Sequence, residues 1–171
     1  MASFGKKKRT HAGTLISEGA CVVIVKTEWN ADVVDELEKG CIKELKKHGI
    51  HHIHSVLVPG AVELTHAIKS CWEKLKYKDG KPSVFIALGT VIKGDTPHFD
   101  YVCKIVSDGI LQLNLTLPIP TIFGVLTVNN LKQAKERIGG KHGHKGEEAA
   151  SAAIQMMQLH SQFDEISKQL K

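Results

Sequence analysis

An α/β fold, with a parallel sheet held between layers of helices, is predicted by three features of the 171-residue chain. Short apolar runs alternate four times with stretches of helical spacing. The runs are continuously apolar and rich in β-branched residues, which marks strands covered on both faces. Each connection between them leaves room for a crossover, as parallel pairing requires.

The first run, 20–25 (Ala-Cys-Val-Val-Ile-Val), is too short for a helix and is followed by Trp29-Asn30. Over 31–48 the apolar residues Val34, Leu37, Cys41 and Leu45 recur at three and four, giving an amphipathic helix that Gly49 is placed to end. A second strand, 53–58, closes at Pro59-Gly60. Residues 61–75 are helical by the spacing of Leu64, Ala67, Ile68, Cys71 and Leu75, and 78–82 form a turn. A third strand, 84–88, runs into Gly89-Thr-Val-Ile-Lys-Gly94, and a helix follows over about 99–115. Pro118 and Pro120 bracket the start of a fourth strand, 121–126. A short helix over 131–137 halts at Gly139-Gly140, and from 147 onward Ala150, Ala153, Ile154, Met157, Phe163, Ile166 and Leu170 mark a long last helix. The expected architecture is a three-layer α/β/α sandwich on a flavodoxin-like four-stranded parallel sheet. It forms one domain over 14–171, behind a flexible basic segment at 1–13.

Hydrophobic residues are 42% and charged residues 24%, which excludes a disordered tail and a disulfide-stapled miniprotein. No apolar run approaches the ~20 residues of a membrane-spanning helix. The basic start lacks the apolar stretch of a secretory signal. Removing Lys6, Lys7, Lys8 and Arg9 from the net charge of +5 leaves +1, so no nucleic-acid-binding face is expected. The run itself reads as a solvated terminus, with a localisation signal or an anion-binding arm as alternatives. Cys21, Cys41, Cys71 and Cys103 form no CxxC, and three lie in apolar stretches where a thiol behaves as a small hydrophobe. A reducing, cytoplasmic compartment is expected.

In sheets of this kind ligands sit at the carboxyl ends of the strands. The unusual residues cluster there, at Trp29-Asn30, 59–63, 89–98 and 124–130. In Lys93-Gly-Asp-Thr-Pro-His98, Thr96 or Asp95 can cap the next helix and Pro97 suits its first turn. The free N–H groups and positive dipole end then make an anion site suited to phosphate. His98 lies in that turn, and an imidazole with an ordinary pKa near ~6.5 suits proton transfer; a histidine that only packs or faces solvent is equally open. Trp29 either stacks on a planar ligand or closes the core, the second slightly favoured. Glu63 either accepts hydrogen bonds from ligand hydroxyls or complements the helix dipole. His51, His52 and His54 have no Cys or carboxylate at zinc-like spacing, and strand alternation splits His51 from the other two, so no metal site is expected. The stretch Gly139-Gly-Lys-His-Gly-His-Lys-Gly146 reads as a flexible cationic loop, either a solvated turn or a lid over an anion. Nucleotide and acyl-transfer motifs are lacking.

These residues carry a resemblance. The pieces are Trp29-Asn30, Val58-Pro-Gly-Ala61 with Glu63, the Leu88 to Gly94 stretch, Thr96-x-His-Phe-Asp-Tyr-Val102, and Pro120-x-Ile-Phe-Gly-Val-Leu-Thr127. Gln133-Ala134 with Arg137, and Lys145-Gly146 with Ala149-Ala150, complete the set. Over about 21–157 the chain resembles the lumazine synthase family of riboflavin biosynthesis. The resemblance implies condensation of 5-amino-6-(D-ribitylamino)uracil with 3,4-dihydroxy-2-butanone 4-phosphate, releasing phosphate and water, without metal or organic cofactor. It implies that Trp29 stacks on the pyrimidine, that Asn30, Ala61, Val62 and Glu63 lie along the ribityl chain and ring, and that Val91 and Ile92 offer backbone contacts. Asp95, Thr96 and Arg137 match the phosphate site, and His98 matches the proton-transfer histidine. Phe123, Lys145 and His144 would come from a neighbouring subunit. Asp95 stands where the family commonly has Gly, Ala or Ser; beside phosphate its carboxylate repels unless turned to solvent. The family forms pentamers, and some members build shells of twelve pentamers. The short 137–145 segment, with its Gly-x-Lys-x-Gly pattern, resembles that of shell formers and implies a sixty-subunit capsid. A shell-forming or ligand-binding paralogue with weak turnover is the competing reading.

Overall fold

The computed structural model describes residues 19–170, so the basic run at 6–9 and the segment 1–13 lie outside the described residues. Strand β1 (Cys21–Thr27) is followed by α1 (Ala31–Lys47) and β2 (His52–Val58). A single 3-10 turn over Ala61–Glu63 leads into α2 (Leu64–Leu75), then β3 (Val84–Ile92), α3 (His98–Thr116) and β4 (Thr121–Val128). The chain continues through α4 (Leu131–Lys135), β5 (Ile138–Gly140), β6 (Gly143–His144) and α5 (Lys145–Gln169).

The four long strands form one parallel sheet in the order β2-β1-β3-β4. Because side chains alternate across a strand, the unbroken apolar run of β1 feeds two cores. Val22 and Ile24 pack with Val34, Leu37 and Cys41 of α1 and Ala150, Ala153 and Ile154 of α5. Cys21, Val23 and Val25 pack with Leu64, Ile68 and Trp72 of α2 and Val106, Ile110 and Leu113 of α3. The three-layer α/β/α, flavodoxin-like architecture is therefore the observed one. Small residues set the closest helix contact: a Cβ at Gly146 of α5 would overlap the carbonyl oxygen of Leu37 on α1. Among the described residues, no helix is long and apolar enough to cross a membrane.

The structure differs from the sequence expectation at element ends. β3 runs on to Ile92 because β4 pairs with it as far as Ile92↔Val128. Residues 61–63 are a 3-10 turn rather than the first turn of α2. The cationic loop is a short antiparallel hairpin, Ile138 opposite His144 and Gly140 opposite Gly143. Gly139 (φ 107°) and Gly143 (φ 75°) supply the left-handed backbone that this reversal needs. α5 begins at Lys145, two residues earlier than its apolar periodicity.

Candidate active site

The chain leaves β1 for β2 on one side and returns to β3 on the other, so a crevice opens where the order reverses, beyond the carboxyl ends of these strands. A cavity of about 690 Å³ lies there. Trp29 and Asn30 reach it from the end of β1, and Ala61, Val62 and Glu63 from the turn after β2. Val91 and Ile92 line it from the end of β3, and Thr96 and His98 from the start of α3. Nine of the residues singled out in the sequence thus share one space, although they come from three separate strand ends.

Asn30 ties two of those ends together. Its backbone is left-handed (φ 59°, ψ 41°), a conformation Asn tolerates better than most residues. Its Nδ2–H group donates to the carbonyl of Thr90 at 2.8 Å. Its own carbonyl accepts from the amides of Val33 and Val34, which starts α1. The turn after β1 is also held to β2, since the Glu28 amide donates to the Val58 carbonyl at 2.8 Å. Trp29 is 74% exposed, so its indole is a wall of the cavity and the core-closing reading is corrected.

α3 starts differently from the expected cap. Pro97 occupies the N-cap position without a side-chain cap, and neither Thr96 nor Asp95 bonds the helix end. The Pro97 carbonyl accepts from Asp100 (3.0 Å) and Tyr101 (3.4 Å), which leaves the amides before them directed out of the helix. His98 is the first helical residue, at the positive end of the dipole and on the cavity wall. Asp95 is exposed and is not among the cavity-lining residues.

Besides Asp95, four expected residues lie outside this cavity. The Arg137 guanidinium donates through Nη1 to the Gln133 carbonyl at 2.8 Å. The Lys145 ammonium is held by both carboxylate oxygens of Glu148 at 2.8 Å. The Lys145 amide donates to the Arg137 carbonyl at 2.8 Å, so the backbones of the two residues are joined across the hairpin. His144 lies against Gly40 of α1, where a Cβ would collide with its ring. Phe123 is 44% exposed on the edge strand β4.

Sequence reasoning missed Thr27, Phe99 and above all Thr90 as lining residues. The Thr90 hydroxyl is buried and finds no protein partner among the described residues. Its position next to Gly89 at a strand end was the available signal.

The comparisons with known proteins follow the same residues. The sequence profile of the family described as 6,7-dimethyl-8-ribityllumazine synthase matches residues 19–161. The chain is 46% identical over 136 residues to the 6,7-dimethyl-8-ribityllumazine synthase of Bacteroides fragilis (strain YCH46), covering 78% of this chain and 92% of that one. It is 45% identical over 138 residues to the Porphyromonas gingivalis protein of the same name, covering 80% and 83%. Against the Cytophaga hutchinsonii protein, again of that name, identity is 42% over 160 residues, 92% of this chain and 98% of the relative. With the profile spanning the whole sheet and its cavity, and the relatives aligned over most of their own length, the chain belongs to the 6,7-dimethyl-8-ribityllumazine synthase family, transferases of riboflavin biosynthesis.

Proposed function

We propose that the cavity at the ends of β1, β2 and β3 is where the chain condenses 5-amino-6-(D-ribitylamino)uracil with 3,4-dihydroxy-2-butanone 4-phosphate. The observation that carries this reading is the meeting of Trp29, Glu63, Thr96 and His98 in one space. An exposed indole offers a flat apolar face for the pyrimidine. Asn30, Ala61, Val62 and Glu63 follow the ring and the ribityl chain, whose hydroxyls Glu63 accepts, while Val91 and Ile92 present backbone groups to the heterocycle. The uncapped start of α3, with Thr96, receives the phosphate. Asp95 contributes through its backbone with its carboxylate in solvent, consistent with its exposure.

His98 moves protons in imine formation and ring closure, work that contributes typically 10²–10⁴-fold when a side chain is positioned for it. Phosphate elimination needs its leaving charge stabilised. Holding two substrates together supplies up to ~7–11 kcal/mol more. The remaining groups come from a second copy. Phe123, His144 and Lys145 are the ones expected from a neighbour, and the Arg137–Lys145 backbone bond makes Arg137 travel with Lys145. A guanidinium brought in this way reads phosphate bidentately.

Exposed apolar residues support assembly. Tyr101, Ile105, Leu111 and Leu115 of α3 and Phe123 of β4 are all open in the single chain, more than scattered surface residues explain. A pentamer completes each cavity, and twelve pentamers form a sixty-subunit capsid, the form the short 137–145 segment resembles. A native mass near that of one pentamer overturns the capsid. Four free cysteines suit a cytoplasmic location.

The direct test mixes the protein with both substrates and follows lumazine absorbance and phosphate release. His98→Ala is expected to slow turnover by roughly 10²-fold or more while leaving the fold intact. Wild-type turnover in that variant overturns the role of His98.

A further inference from the structure

The histidines of β2 lie at the amino end of the sheet, away from the cavity. Parallel pairing sets Cys21 beside His52 and Val23 beside His54. Residues in register share a face, so the thiol and both imidazoles project from the same side, that of α2, while His51 falls outside the strand. One donor atom from each of Cys21, His52 and His54 lies within 4.8 Å of the others. The two imidazole rings are 5.0 Å apart and tilted by 59°, so they are not stacked on each other. Spacing along the chain gives no hint of the third donor, because it arrives through strand register.

We propose that Cys21, His52 and His54 form a binding site for a borderline-soft divalent cation, Zn(II), that staples the edge strand β2 to β1. One thiolate and two neutral imidazole nitrogens make a donor set that favours zinc over oxygen-preferring cations. Zn–N bonds of about 2.0–2.1 Å and a Zn–S bond of about 2.3 Å bring tetrahedral donors to roughly 3.3–3.7 Å of one another. Closing from 4.8 Å takes about 1 Å per imidazole, which rotation of two exposed side chains provides. The thiol has no such freedom and needs none. Its backbone is tied twice to Ser83, the Cys21 amide donating to Ser83 Oγ at 3.2 Å and its carbonyl accepting from the Ser83 amide at 2.8 Å. Binding replaces the thiol proton, which is released to solvent, and water fills the fourth position on the exposed side.

The site lies about 20 Å along the strands from the cavity, at about 3.3 Å per residue over β1. It is a staple, independent of the synthase reaction.

The test titrates the full chain with Co(II), a spectroscopic stand-in for zinc. Expected is one Co(II) per chain with a thiolate-to-cobalt charge-transfer band in the near ultraviolet, displaced by Zn(II). His52→Ala and His54→Ala are surface changes that keep the fold. Each is expected to weaken Co(II) binding by more than the roughly 10–100-fold that outer-shell changes cost, and His51→Ala to leave it unchanged. Cys21→Ser is expected to abolish the band. Turnover stays at the wild-type level in both histidine variants, which separates this site from the synthase reading. Absence of the charge-transfer band, or its survival in both His52→Ala and His54→Ala, overturns the proposal.

Discussion

Replacing Asn30 separates two contributions that meet at the mouth of the cavity. Its Nδ2–H donates to the Thr90 carbonyl at 2.8 Å, and its backbone has φ 59°. Alanine removes the bond, about 1 kcal/mol net. It also places a Cβ in the left-handed region, a further ~1–2 kcal/mol. Asn30→Ala is therefore expected to lower stability by about 2–3 kcal/mol. Asn30→Gly loses the same bond without the steric strain, and a more flexible unfolded chain takes back only part of that relief, ~0.4–1 kcal/mol. The expected order is wild type, then Gly, then Ala. Urea unfolding of all three at one fixed chain concentration reads it, since the stability of an assembly depends on concentration. Both variants are also expected to raise KM for the heterocyclic substrate, because Trp29 precedes the loosened residue. Should Gly be no better than Ala, the left-handed backbone is not the constraint. Should Ala match the wild type, the link between β1 and β3 carries nothing.

Further outcomes follow from the packing. Gly146→Ala pushes a methyl into the backbone of Leu37, whose Cα and carbonyl carbon would stand 3.0 and 2.8 Å away, so α1 and α5 must part; overpacking of this kind costs about 1–3 kcal/mol, read as a lowered thermal midpoint. Burial, with Glu38 adding to it, pushes the Cys41 thiol up to about 12. At pH 8 roughly one Cys41 in 10⁴ is thiolate, and a disulfide reagent is expected to label it only on unfolding. Burial lowers the Lys26 pKa, but hydrogen bonds to Asp35 (2.8 Å) and Glu38 (2.6 Å) outweigh it and leave the value raised. A raised folded pKa means that this contribution is complete below the ordinary 10.5 and is lost as pH climbs through the folded value. The stability gap between wild type and Lys26→Met should accordingly be flat to about pH 10 and shrink above it in urea titrations.

The strands and helices were legible because burial imposes a local rule. A run such as Val22-Val-Ile-Val25 has no polar face to offer solvent, and the three-four spacing of Val34, Leu37, Cys41 and Leu45 matches the turn of a helix. The clustering of odd residues at strand ends was legible for the same reason, since parallel topology forces all carboxyl ends to one side. Trp29 was harder: its neighbours along the chain do not reveal whether a ring lies in the core or over a crevice, and only its exposed place on the cavity wall of the folded chain decided the matter.

Everything that depends on register needed the folded chain. β3 continues to Ile92 only because β4 is there to pair with it. Asn30 bonds a carbonyl 60 positions away. Arg137 and Lys145 share a backbone bond across a hairpin that two left-handed glycines create, which carries both away from their own chain's cavity. Cys21 meets His52 and His54 through strand alignment and not through spacing. Periodicity is a property of neighbours along the chain and can be read from them. Contact between distant strand ends is a property of how strands align, and that alignment is set by the two cores acting together.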